Sequence, residues 1–322
     1  MINTLKVAVR KALLRKETQA LYKKMSKIKV SLMRVLSDEQ FTKLNIRMNT
    51  GINLNLKNPQ MFVEKVNWLK LNYRNDLQTE YTDKYLMRKH LINHGYSHLL
   101  PPLIGAYSEF NSINFDSLPN KVFLKTNHTS GVNQAIEKNK TNLTRAKRRF
   151  DAAMKDNYFK YSREWNYKNI KPKILVEEYL NLDDFVDYKF FVFEGKVEFF
   201  GIIKNINDSQ GNQSLNSKIN LYDTSLNRMS IDIKRNEFDD DGFEFSEYLP
   251  EMIKVSEDLA SKFPFCRVDF FVSKDKLYFG EMTFHPNGGQ LVLYPLENEM
   301  KFGGKIHLEK IPENELKTQL NH

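Results

Sequence analysis

The chain has 322 residues, of which 41% are hydrophobic and 12% aromatic, with a single cysteine, Cys266. That composition supplies ample core and excludes bulk disorder, an intramolecular disulfide framework and a cysteine-based zinc site. Forty-nine Lys and Arg against forty Asp and Glu leave +9, and residues 1–35 hold all of that excess as ten basic side chains against the single acid Glu17. The remaining residues sum to zero, which argues against reading the body as a nucleic-acid binder from its pI of 9.2.

The first predicted element is a helix over residues 3–36. Leu14, Thr18, Leu21, Met25, Ile28, Leu32 and Val35 recur every three or four positions as one apolar stripe among Lys and Arg. Such a helix can pack on the body, lie on an anionic membrane surface, self-associate or serve as a nucleic-acid arm. Lys6, Arg10, Lys11 and Arg15 interrupt every candidate signal-peptide core. No apolar run approaches the roughly 20 residues needed to cross a bilayer. The expected location is cytoplasmic, peripheral at the inner membrane face if residues 1–36 bind there.

Residues 59–95 read as helical, with Thr82-Asp83 opening a second helix that Gly95 ends. Val122-Phe123-Leu124 is a short strand running into the polar loop Thr126–Gly131. A basic helical stretch, Thr144–Lys160, leads to the apolar strand Ile174-Leu175-Val176. Asp187–Phe193 and Lys196–Ile203 flank Glu194-Gly195, a hairpin signature. Residues 204–248 are polar and without periodicity, Glu251–Lys262 is helical, and Arg267–Val272 with Leu277–Phe284 forms a last hairpin.

That last hairpin carries the most chemistry. With a three-residue loop, Lys274-Asp275-Lys276, Asp269 faces Glu281 and Arg267 faces Thr283. Val268, Phe270, Met282 and Phe284 then point the other way, into a core. Opposed carboxylates repel unless a cation lies between them, and hard oxygen ligands suit Mg2+. The alternative is that Arg267 simply neutralises Asp269. A two-residue turn would instead place the carboxylates on opposite faces. A second constellation, Lys125 followed by Thr126-Asn127-His128-Thr129-Ser130-Gly131, can offer an ammonium and backbone N–H groups to phosphate, although it is no Walker A motif. A third, Ile174 to Leu180 with Asp183-Asp184 beyond, either lines a nucleotide pocket or is an ordinary strand end. His128 and His285 fit hydrogen-bonding roles better than proton transfer, and Cys266 reads as a packing residue.

Thr82-Asp83-Lys84-Tyr85, Leu124–Gly131, Asp187–Lys196, Arg267–Phe271 and Phe279–Phe284 together resemble the TupA-like branch of the ATP-grasp superfamily, over about Lys65 to Gln290. The branch is associated with teichuronopeptide and other bacterial surface-polysaccharide biosynthesis. The resemblance implies an α+β fold in which two α/β lobes grip ATP. The expected domains are a basic helix and linker (1–48), an N-terminal domain (49–118), a first lobe (119–182), and a second lobe (183–322) with a polar insertion at about 204–248. It further implies Lys84, Lys125 and Lys189 near the phosphates, with Asn127, Ser130 and Gly131 in the loop closing over them. Glu177, Tyr179 and Leu180 would lie at the adenine and Asp184 at the ribose. Asp269, Glu281 and Thr283 would hold Mg2+, and Arg267 and Lys125 would act on the transferring phosphoryl group. Thr283 stands where many ATP-grasp ligases have Asn, which makes two fully occupied metal positions less assured.

The implied activity joins a carboxylate, plausibly a uronic acid of a surface polysaccharide or its lipid-linked precursor, to an amine through an acyl phosphate. The expected partners are thus an acidic glycan or lipid-linked glycan, an amine co-substrate and no nucleic acid. A glycan kinase is one alternative, and a membrane-surface scaffold with a vestigial nucleotide site is another.

Overall fold

The computed structural model describes residues 35–129, 131–180, 185–204, 217–273 and 276–317. The helix expected over 3–36, except for its last two positions, lies outside the described residues, as do Ser130 and Asp184. Residues 1–51 form a unit of their own. Its described part is helix α1 (Asp38–Thr50). Ser37 and Gln40 close a reciprocal capping box at its start: Gln40 N donates to Ser37 Oγ at 3.2 Å and Ser37 N to Gln40 Oε1 at 3.0 Å. Gly51, at φ +82°, ends it in the left-handed conformation a C-terminal cap favours.

The second unit, from Ile52 onward, begins with helices α2 (Phe62–Asn72), α3 (Asp76–Thr82) and α4 (Leu86–Asn93). Strands β1 (Leu103–Tyr107), β2 (Lys121–Thr126), β3 (Asn133–Glu137) and β4 (Ile174–Glu178) form an antiparallel sheet in the order β1-β4-β2-β3. Thus β1, from the segment assigned to the N-terminal domain, is an edge of this sheet. Alternation along β2 buries Val122, Leu124 and Thr126 and leaves Lys121, Phe123 and Lys125 on the opposite face. The buried face packs against helix α5 (Leu143–Met154) through Ala146 and Phe150.

A second antiparallel sheet follows in the order β7-β6-β5-β8-β9. Its strands are β5 (Val186–Phe193), β6 (Lys196–Lys204), β7 (Lys218–Asp223), β8 (Phe265–Ser273) and β9 (Lys276–Thr283). Glu194 and Gly195 both take positive φ, +45° and +79°, as the two-residue β5–β6 turn requires. Helix α6 (Leu249–Ala260) packs on this sheet, burying Met252, Val255 and Leu259. Phe190, Phe200 and Phe270 are fully buried between them, and Phe191 stacks on Phe199 at 4.3 Å between ring centroids. Helix α7 (Leu296–Gly303) crosses α2 so closely that a Cβ at Gly303 would lie 2.0 Å from Gln60 O. Its Glu299, fully buried, accepts Val63 N and Leu293 N, both at 2.7 Å.

Two details depart from the sequence expectations. Strand β7 lies inside the segment read as aperiodic, because Ile219, Asn220, Leu221 and Tyr222 are all buried and nothing alternates. Its outer edge is covered: Met229 N donates to Leu221 O at 2.8 Å, Ile219 N donates to Asn236 O at 2.8 Å, and Asn220 exchanges bonds with Phe238. The final hairpin has a two-residue turn, since Ser273 pairs with Lys276. A bulge at Gly280 nonetheless restores the expected pairs, Asp269 with Glu281 and Arg267 with Thr283. Only glycine fits there, because an added Cβ would come within 2.9 Å of Asp269 O. No described helix is long and apolar enough to cross a membrane.

Candidate active site

Asp83 opens α4 by accepting Tyr85 N at 2.8 Å, and Asn127 Nδ2 donates to the same carboxylate at 2.8 Å. Lys84 N donates to Asn127 O at 3.3 Å and Lys84 Nζ to Thr129 O at 3.2 Å. The Thr82–Tyr85 motif and the 126–131 loop are therefore docked on one another. Asn127 Oδ1 accepts Lys173 N at 2.6 Å, and His128 Nε2 donates to Ala153 O at 3.0 Å, tying the loop to β4 and α5. His128 is buried and its pKa is pushed down by that burial, so it serves the loop's structure. Gly131 takes φ +80° at the loop's end.

Across from this loop stands a row of side chains on one face of the second sheet. Lys189, Asp269 and Glu281 are successive cross-strand partners on β5, β8 and β9. Asp269 accepts Arg267 Nε and Arg267 Nη2 at 2.6 Å each and Lys189 Nζ at 2.6 Å. Burial would raise the Asp269 pKa, but Arg267 and Lys189 hold it below the ordinary carboxylate value. Lys189 also reaches Asp187 at 3.1 Å, a carboxyl that burial lifts to about 6. Arg267 donates to Thr283 Oγ1 at 3.1 Å and lies 3.9 Å from Glu281. Arg267 thus pairs directly with Asp269, in a largely buried ion pair rather than one at the surface.

Glu281 differs from Asp269: its side chain is 44% exposed, and Thr283 Oγ1 donates to it only at 3.4 Å. Lys84 approaches it at 3.8 Å across the cleft, and burial lowers the Lys84 pKa. The cleft between the two sheets is lined by Lys84, Arg88, Lys125 and Glu281, with Met87, Leu100 and Phe279 as apolar walls. Three cations and one carboxylate on a partly apolar cleft suit a polyphosphate with a planar base.

The third constellation is more occupied than its sequence suggests. Glu177, 3% exposed, bonds Lys125 at 2.8 Å and Arg88 at 3.1 Å, so cations hold its carboxylate on the β4 face. Tyr179 carries Lys121 Nζ 3.7 Å above its ring, and Leu180 is half-buried beside it. Arg88 was not singled out by sequence; its position four residues after Lys84 is the signal that could have found it. Glu164 was also missed. It is buried beside His285, with Glu164 Oε2 3.4 Å from His285 Nδ1, and no local pattern links residues 121 positions apart. His285 Nε2 and Asn166 Oδ1 are buried in the same region without hydrogen-bond partners among the described residues. Cys266 is fully buried with its thiol pKa pushed up, in keeping with packing.

A family model described as TupA-like ATPgrasp matches residues 64–307. No curated protein matches the chain. Among solved structures it is similar to a D-alanine–D-alanine ligase from Bacillus anthracis, at 17% identity and TM-score 0.42 over 75% of this chain and 69% of that one. It is also similar to the same ligase complexed with ATP, at 15% identity and TM-score 0.41 over 70% and 62%. An L-amino acid ligase from Bacillus licheniformis is similar at 15% identity and TM-score 0.39 over 68% and 49%. The chain thus spans between half and about seven-tenths of these proteins' lengths.

Proposed function

Because this chain belongs to the TupA-like ATP-grasp family, we propose that it is an ATP-dependent carboxylate–amine ligase whose carboxylate is a uronic acid of an acidic surface glycan or its lipid-linked precursor. The observation that carries the reading is the cross-strand row Lys189, Asp269, Glu281, whose end member Glu281 meets Lys84 and Lys125 in one cleft. Acyl-phosphate formation needs a carboxylate brought in line with a terminal phosphate and the developing charge neutralised; it needs no protein nucleophile. Lys84 and Lys125 are the residues for the nucleotide phosphates, with Asn127 and Gly131 shaping the loop that covers them. Arg267, fixed by two bonds to Asp269, presents a rigid guanidinium to the transferring phosphoryl group.

Glu281 and the Thr283 hydroxyl are hard oxygens that fit Mg2+, which takes one or two carboxylates beside phosphate oxygens, and Asp269 would join them by giving up a cation. Bound there, Mg2+ would supply charge neutralisation at the phosphates. The half-exposed Glu281 is the readier ligand, because Asp269 is already saturated by cations.

The test is release of ADP and inorganic phosphate from ATP with a uronate and candidate amines. The ligase reading expects release to require both acceptors. Release that never depends on both would refute it, and a stable phosphoester in phosphorus NMR would favour the kinase alternative.

A further inference from the structure

The net charge of zero outside residues 1–35 conceals a division between the lobes. Residues 119–182 hold fourteen Lys and Arg against six Asp and Glu, whereas residues 183–322 hold sixteen against twenty-five. The first lobe is therefore at +8 and the second at −9. In the first lobe the excess is on the surface. Arg145, Arg148, Lys155, Lys160, Lys168 and Lys171 are exposed, and none of them forms an ion pair among the described residues. Arg145 and Arg148 are three apart on one helix, a like-charge spacing that costs a few tenths of a kcal/mol. Helix α5 turns Ala146, Phe150 and Ala153 inward, so its cationic side faces solvent.

This surface borders the candidate active site on two sides. Arg149 Nη2 donates to Gly131 O at 3.3 Å, which joins α5 to the end of the phosphate-facing loop. Asn127 Nδ2 donates to Lys171 O at 3.0 Å, which joins the Lys168–Lys171 stretch to the loop's start. An extended anion lying on this face would have one end at the cleft.

We propose that the exposed cationic face of the first lobe, from Arg145 to Lys171, holds the polyanionic glycan strand that presents its uronate to the cleft. This rests on the reading of the acceptor as an acidic glycan, and it locates where the strand runs. A glycan fits better than a membrane, because surface-binding helices pair their cations with an apolar face left for insertion, and here that face is buried in the lobe's own core. It also fits better than a single-stranded nucleic acid, which needs exposed aromatic platforms. Tyr158, Phe159, Tyr161, Trp165 and Tyr167 are all half-buried, and the Phe159 ring already carries Lys168 at 5.4 Å.

The experiment uses the full chain, so that residues 1–35 contribute equally to every protein compared. Fluorescence anisotropy with a labelled oligogalacturonate at about 50 mM salt is run on the native sequence, on R145E/R148E and on K155E/K160E. Each pair should weaken binding about tenfold and flatten its salt dependence, with unchanged ATP affinity and melting temperature. Equal affinity in all three proteins would overturn the inference. So would a larger loss of binding to phosphatidylglycerol vesicles or to single-stranded DNA than to the oligouronate in the two variants. Oligouronate held by this face without any ATP turnover on it would support the surface and contradict the ligase reading. ATP turnover on the oligouronate that is undiminished in R145E/R148E would support the reaction and overturn the surface.

Discussion

The two lobes use charge in opposite ways. In the second sheet the buried Asp187 and Asp269 are bonded to the largely buried Lys189 and Arg267, so each side chain is fixed by its neighbours. In the first lobe Arg145, Arg148, Lys155 and Lys160 stand in solvent with no ion-pair partner among the described residues. A charge paired in the interior specifies geometry, because separating it from its partner leaves an uncompensated ion in low dielectric. A charge in excess at the surface contributes little to the fold and instead sets the field that an anionic partner meets. Substitutions of these paired charges should therefore disturb folding and chemistry together in the second lobe, and substitutions on the exposed face of the first lobe should disturb only binding.

The largest expected effect tests that contrast. Asp269→Asn removes the negative charge that Arg267 and Lys189 share, so it should cost about 3 kcal/mol in chemical denaturation and at least a hundredfold in ADP release. A variant of native stability would mean that the second-lobe charges are not mutually dependent. Glu299→Ala comes next, because it strands two buried amide donors, and it should cost about 3 kcal/mol. Activity per folded molecule should remain. Lys125→Met should raise the KM for ATP about tenfold. It should also cost less stability than Asp269→Asn, because Arg88 remains on Glu177. An equal loss would erase the distinction between the lobes. Gly280→Ala should cost about 2 kcal/mol through its approach to the Asp269 backbone, and shift Glu281 enough to weaken ATP binding.

The pH dependence sharpens the account inside the second lobe. Asp269 is held below its ordinary value of 3.8 by Arg267 and Lys189 against the opposing effect of burial. Its contribution is present above that pH and is lost on further acidification. Burial of Glu299 does the reverse, lifting it from 4.5 to about 7 despite two amide bonds. That contribution is present below pH 4.5 and lost as pH rises through about 7. Glu299→Gln should flatten melting temperature against pH across that window. A slope as steep as the native one would assign the titration to another group.

The α+β class and the ATP-grasp family were legible through the resemblance of the motif segments, and the facing of Asp269 with Glu281 holds because a bulge at Gly280 reverses the change of parity made by the shorter turn. The turn length was not legible. A glycine bulge that restores a pairing is silent in one sequence, and here Gly280 compensates for a turn one residue shorter than expected. Strand β7 was hidden because burial on both sides removes alternation. The docking of Lys84 on Thr129, of Arg88 on Glu177 and of Glu164 on His285 joins residues 45, 89 and 121 positions apart, beyond the reach of any local pattern. The charge division was present in composition but invisible in its total, since the two lobes nearly cancel.

The central claim is that the cleft between these lobes activates a carboxylate by phosphorylation. A uronate labelled with oxygen-18 in its carboxyl group tests it directly, with ATP and an amine, by mass analysis of the released phosphate. Acyl-phosphate formation transfers one carboxyl oxygen, so the label should appear in inorganic phosphate in proportion to amide formed. Unlabelled phosphate, or label retained in a phosphorylated sugar, would contradict the account.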